Sequence, residues 1–282
     1  MFFKATRTQT VFLLRQKGAI FTFYILLAIV LSNFIENVMD FQGMEIVEMY
    51  HPMKLLLLSY NKVPYKADLV IIFTQLFPLL VVGPAGFSLA IEQQSGEDAY
   101  IITRLGHLKY KLSKLLAAFF ATAIVVSLPF FIEIILNCIS FPLEATGDLF
   151  NGPYNQEYID GVKNYWMPEF YSHAPYLYTV VGTLFFAFVS GVLGAFTVAF
   201  SSIVKVKYRI FLFLPVFSLL NATVYFSILE KISASSRPII WSNYILLFYD
   251  HSRELVLMGV IFVLFILFSF VATIVSSRKE CF

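Results

Sequence analysis

Long apolar runs, separated by short polar or charged clusters, recur along almost the whole chain. Six of them reach the roughly 20 residues that a helix needs to cross a hydrocarbon core ~30 Å thick. They cover 19–39, 69–91, 112–139, 174–204, 210–229 and 255–275, and the fourth holds no Asp, Glu, Lys or Arg. Backbone groups find no water in lipid, so a spanning segment must satisfy its hydrogen bonds internally, and all six runs are predicted to be helices. The expected fold class is an all-α integral membrane protein with a single transmembrane domain over 1–282.

The stretches that are too short to cross have their own pattern. Residues 1–18, "MFFKATRTQTVFLLRQKG", mix Phe2, Phe3, Val11, Phe12, Leu13 and Leu14 with four basic residues, as expected of an interfacial helix on anionic headgroups. "SSRPIIWSNYILLFYD", 235–250, is aromatic and apolar with a Pro near its start, and reads as re-entrant or interfacial. "HPMKLLLLSYN", 51–61, has a weaker form of the same pattern.

Pro78, Gly83, Pro84 and Gly86 interrupt the second run and Pro129 the third, so Pro78, Pro84 and Pro129 are candidate kinks or hinges. Ser190, Gly191, Gly194, Ala195 and Ala199 place small residues four apart in the fourth run, either as a dimer seam or for packing within one subunit. The halves before and after residue 140 share no spaced landmarks, which argues against an inverted-repeat transporter.

Composition agrees with the pattern. Of the 282 residues 59% are hydrophobic and 13% charged, against about 25% charged in soluble domains. The net charge of +2 gives no sign of a nucleic-acid partner. Where the charges lie is more informative, because Lys and Arg are retained on the cytoplasmic side. With the N-terminus inside, thirteen of the 20 basic residues fall in inner connections and seven in outer ones, so both termini are expected in the cytoplasm. The acidic residues concentrate outside, notably in the connection 140–172. Cys138 and Cys281 fall on opposite sides and read as unpaired thiols. The N-terminal run is about twice the length of a signal-peptide core and is not followed by a small-residue cleavage site, so it reads as a retained anchor.

Enzyme signatures are missing from the sequence: it has no G-x-x-x-x-G-K-[ST], no H-E-x-x-H and no G-x-S-x-G, and its four histidines stand far apart. No metal site is expected. Glu97-Asp98 resembles the start of the Glu-Glu-x-x-x-Arg motif of intramembrane prenyl-protein proteases, but Ile102 stands where Arg is required. Two acids lie within spans. Helix rise carries Glu133 about 28 Å beyond Lys114, to the outer interface, where it and Glu36 would be solvated or would line a polar vestibule.

The most polar stretch between spans is "EQQSGEDAYIITRLGHLKYKLSKLL", 92–116. Ser95 reads as an N-cap, Glu97 and Asp98 as an acidic first turn, and Gly106 as a C-terminal stop, which predicts a helix over 96–105. It offers Tyr100, Ile101, Ile102 and Leu105 beside Arg104, a surface suited to a partner's groove. Glu92 at the end of the second run, then "SGED", "ITRLG" and the lysines leading into the third run together resemble the first intracellular loop of type-2 ATP-binding-cassette permeases, especially small bacterial exporters. The basic amphipathic N-terminus, six spans and a re-entrant element before the last span extend the resemblance along the chain.

That resemblance implies a coupling helix seated on a separate ATPase subunit, which would bind the ATP and Mg itself, leaving this chain without cofactor or catalytic residues. It implies Glu92, Gly96, Glu97, Tyr100, Ile101, Arg104, Leu105 and Gly106 as coupling residues. It also implies a second permease subunit, identical or different, and a place in the cell membrane. A competing expectation is a non-transporting assembly factor or sensor that docks a cytoplasmic partner.

Overall fold

The computed structural model describes residues 2–46, 49–59, 68–145, 167–203, 209–218 and 255–279, and among them there is no β-strand. In chain order the helices are α1 (Phe2–Leu14), α2 (Lys17–Asp40), α3 (Asp68–Val82), α4 (Ser88–Ser95), α5 (Glu97–Leu105), α6 (His107–Ser140), α7 (Pro168–His173), α8 (Pro175–Ile203) and α9 (Leu255–Lys279). Three of them, α2, α6 and α8, are long and apolar enough to cross a membrane, and α3 and α9 add shorter apolar stretches at 69–82 and 262–277. The chain is therefore a multi-pass membrane protein.

The predicted spans at 19–39, 112–139 and 174–204 match α2, α6 and α8, but the run 69–91 is not one helix. It stops at Val82, turns through 83–87 and restarts at Ser88. Pro84 lies in that turn, whereas Pro78 and Pro129 sit inside helices that continue through them. The turn satisfies its own backbone: Gly86 N–H donates to Val82 O at 2.8 Å, and Ser88 N–H and Oγ both donate to Ala85 O. It also lies close against a neighbour, because a Cβ on Gly83 would sit 2.3 Å from Thr22 Oγ1 of α2. The fifth run, 210–229, is described only over 209–218, as a 3-10 turn Arg209–Phe213 leading into helical residues. The segment 235–250, most of the acidic connection 140–172 and Cys281 lie outside the described residues.

Helix α6 is the central post, packed on α1, α2, α8 and α9. The small residues of α8 face it. A Cβ on Gly191 would stand 2.8 Å from the ring of Phe119, and one on Gly194 would stand 2.3 Å from Thr122 Oγ1. The small-residue spacing in the sequence thus serves packing within the subunit, with Ser190 buried and Ala195 and Ala199 clustered with Leu115 of α6 and Ala272 of α9. At the level of α3 the core is aromatic. Phe73, Phe77, Phe130 and Phe186 are all buried, with ring centroids 5.1 to 6.2 Å apart in tilted and edge-on pairs. Such pairs contribute about 0.5–1.5 kcal/mol each beyond their burial, and here they hold the broken second element against α6 and α8.

Candidate functional site

The polar stretch 92–116 folds into three consecutive helices. Two glycines in the left-handed half of backbone space make the corners, Gly96 at φ +75° and Gly106 at φ +78°. An added Cβ at either would meet no neighbour, so it is the backbone turn that requires glycine there. Helix α5 starts within a residue of its predicted position, but its cap differs. Ser95 closes α4, its Oγ donating to Glu92 O at 3.1 Å, and Gly96 takes the N-cap position of α5 without a side-chain bond. Asp98 accepts from the N–H of Ala99 at 2.9 Å and does not complete a capping box. Gly106 ends the helix as expected, its N–H bonding Ile102 O at 2.7 Å.

Helix α5 is amphipathic. Ile101 and Ile102 pack inward on a cluster that contains Leu13, Leu89, Tyr110 and Val198. Tyr100 is 79% exposed and Arg104 is exposed beside Thr103, while Leu105 is half-buried. Of the expected docking residues, Tyr100 and Arg104 face outward and Ile101 faces the bundle. The side chain of Glu97 is outside the described residues.

Glu92 and the lysines of α6 turn inward. The Glu92 carboxylate is buried; one oxygen accepts from Lys114 Nζ and the other from Tyr110 O–H. Lys111, also buried, donates to Ser276 Oγ of α9 at 2.8 Å, and Ser276 Oγ donates to Ser202 O of α8 at 2.7 Å. Ser113 donates to Gln9 of α1 at 3.1 Å. These residues tie α1, α4, α8 and α9 to one end of α6. The sequence suggests lysines holding that end at the membrane surface, but Lys111 and Lys114 are 3% and 0% exposed. They hold helices together instead, because a charge withdrawn from water is tolerated only when paired and hydrogen-bonded.

At the other end of α6 the expectation for Glu133 is overturned. It is 0% exposed, and its Oε1 accepts from Asn33 Nδ2 at 2.5 Å and from the backbone N–H of Leu57 at 2.9 Å. Helix rise gives its distance along α6 but says nothing about what covers it. The cover is the segment 51–59, a 3-10 turn Pro52–Lys54 followed by the buried residues Leu55, Leu56, Leu57 and Leu58. Non-helical backbone at this depth needs polar partners, and the neighbouring helices supply them. Asn33 and Asn37 donate to Leu55 O at 3.1 and 2.8 Å, and Asn137 donates to Pro52 O at 3.2 Å. His51 Nδ1 accepts from Met53 N–H at 3.2 Å, and its ring lies 5.1 Å from that of Tyr176. Burial, aided by the charge of Lys54, lowers the His51 pKa to about 4, so the ring stays neutral and able to accept. Two pairs spaced i, i+4, Asn33/Asn37 and Glu133/Asn137, are the sequence signal for this seat, each on one helix face.

Among the described residues no group of three or more His, Cys, Asp or Glu gathers to hold a metal. Compared with known proteins, the chain matches no family model, no curated protein and no solved structure.

Proposed function

We propose that the chain is the permease subunit of a type-2 ATP-binding-cassette transporter, exporting a peptide, drug or lipid with energy from a separate ATPase. The observation that carries the reading is α5: a short helix set between two glycine corners, with Tyr100 and Arg104 projecting, Ile101 and Ile102 packed inward, and the preceding α4 locked to α6 through Glu92, Lys114 and Tyr110. A push on its exposed face passes through the packed Ile101 and Ile102 to a bundle end where α4 and α6 are already locked together, rather than dissipating in a loose loop. Tyr and Arg are also the side chains that most often anchor protein interfaces.

In this reading α5 faces the cytoplasm, as do both termini, and the cell membrane houses the complex. Two permease subunits and two ATPases, which bind ATP and Mg, form the working unit. Closure of the ATPases drives the α5 helices, and the broken α3–α4 element, with Pro78, Pro84 and Pro129, lets the spans change their tilt.

The test is copurification followed by transport. An ATPase with a Walker loop is expected to travel with the permease. Arg104→Glu is expected to weaken that association about 30-fold, the size of a typical interface anchor, while the permease itself remains folded. Absence of such an ATPase, or an Arg104→Glu complex that assembles and transports normally, would refute the proposal and favour the assembly factor or sensor.

A further inference from the structure

A crevice of about 200 Å³ opens between α6, α8 and α9 on the side of the molecule. Leu116 and Phe120 of α6, Val192 and Ala195 of α8, and Ser269 and Phe270 of α9 form its walls. Val192 and Ala195 make a buried floor, and Phe120 and Phe270, 47% and 40% exposed, stand at the mouth. The mouth therefore faces whatever surrounds the bundle, which for a membrane protein is lipid.

The walls offer a ligand almost nothing to hydrogen-bond. Among the described residues of the lining Ser269 contributes the one hydroxyl, and it donates to Phe265 O of its own helix at 2.8 Å. An apolar cavity of about 150 Å³ stays dry and takes up hydrocarbon, and this one is larger. Only a hydrocarbon chain suits it.

One charge indicates what that chain is attached to. Lys109 is exposed and lies seven and eleven residues before Leu116 and Phe120, spacings that put all three on one face of α6. Seven residues of helix are about 10 Å, so an ammonium on a long flexible stem stands along α6 within reach of a headgroup whose chain enters the crevice.

We infer that the crevice binds one acyl chain of an anionic phospholipid from the leaflet on the α5 side, with Lys109 attracting its phosphate. The lipid fills space that α6, α8 and α9 leave between them and is retained by shape and charge together.

Native mass spectrometry of the full chain, released from nanodiscs of equimolar phosphatidylglycerol and phosphatidylcholine, tests this. The expected result is a retained phosphatidylglycerol. Lys109→Glu reduces the preference for phosphatidylglycerol by about fivefold or more, the contribution of one lysine near an anionic surface. Filling the crevice with Ala195→Leu or, independently, Ser269→Leu brings retention down to the level of non-specific lipid. Ser269 has only a bond to its own helix to lose, so its variant is expected to fold even if Ala195→Leu does not.

Undiminished retention in the folded Ser269→Leu variant would overturn the inference. So would loss of a permease dimer in place of lipid, which would mark the crevice as a subunit contact. Retention is measured without any ATPase, so it stands or falls separately from the transport proposal.

Discussion

Glu92 and Lys114 show how one pair of residues supports a larger arrangement. Each is buried, and each charge is tolerable because the other is present. Lys114→Met, which leaves Glu92 with the Tyr110 hydroxyl alone, is expected to cost about 3–5 kcal/mol. Combining it with Glu92→Gln restores most of that loss, because no unpaired charge then remains. Unfolding in mild detergent, run as a double-mutant cycle, measures the coupling. His51 provides a pH-dependent counterpart at the opposite end. Its folded pKa, about 4, lies below its ordinary value of 6.5, so the stability that its neutral ring gives the 51–59 segment is complete above about pH 6.5. That stability is lost as pH falls from there toward 4, since protonation removes the acceptor for Met53 N–H and adds charge beside Lys54. Amide-exchange protection factors at Met53–Leu55 are expected to fall across that window. His51→Asn, which keeps an acceptor that does not titrate, should flatten the response.

At the scale of elements, the two irregular pieces of backbone are the most informative. The break at 83–87 is signalled by Pro84 between two glycines, since proline has no N–H to give and glycine allows close approach. The neighbour approached, Thr22 of α2, carries no such mark. The segment 51–59 has the composition of a re-entrant or interfacial element, four leucines after a proline, and all four leucines are buried against the helices. What holds it was only half legible: Asn33, Asn37 and Glu133 were visible as polar residues within spans, but their common target, the carbonyl of Leu55 and the amide of Leu57, comes from a distant part of the chain. Glu133→Leu leaves the Leu57 N–H without its acceptor and is expected to destabilise the segment by about 1–3 kcal/mol, whereas Glu133→Gln keeps an oxygen in place. Reaction of a cysteine placed at Leu58 with a polar thiol reagent reads the difference. It should speed up markedly in the Leu variant and little in the Gln variant.

At the scale of the whole molecule, α6 runs from one polar cluster to the other, with Lys111 and Lys114 near its start and Glu133 and Asn137 near its end. A change at α5 and a change at 51–59 therefore act on the same helix, which is the physical basis for the transport proposal. By itself the sequence determined the helical class, the places of the three long apolar helices α2, α6 and α8, the short helix between glycines 96 and 106, and the interruptions of the second run. These depend on local causes: hydrocarbon thickness, backbone hydrogen bonding in lipid, and the conformational preferences of glycine and proline. The direction in which the polar residues face was settled only by tertiary structure. Lys114, which the sequence would leave at the surface, turns inward to a carboxylate 22 positions away, and Glu133, expected at a solvated interface, lies under a loop 76 positions away. Hydropathy assigns each residue a depth in the membrane but no partner. A buried charge is stable only beside its partner, so its place is decided when the helices pack.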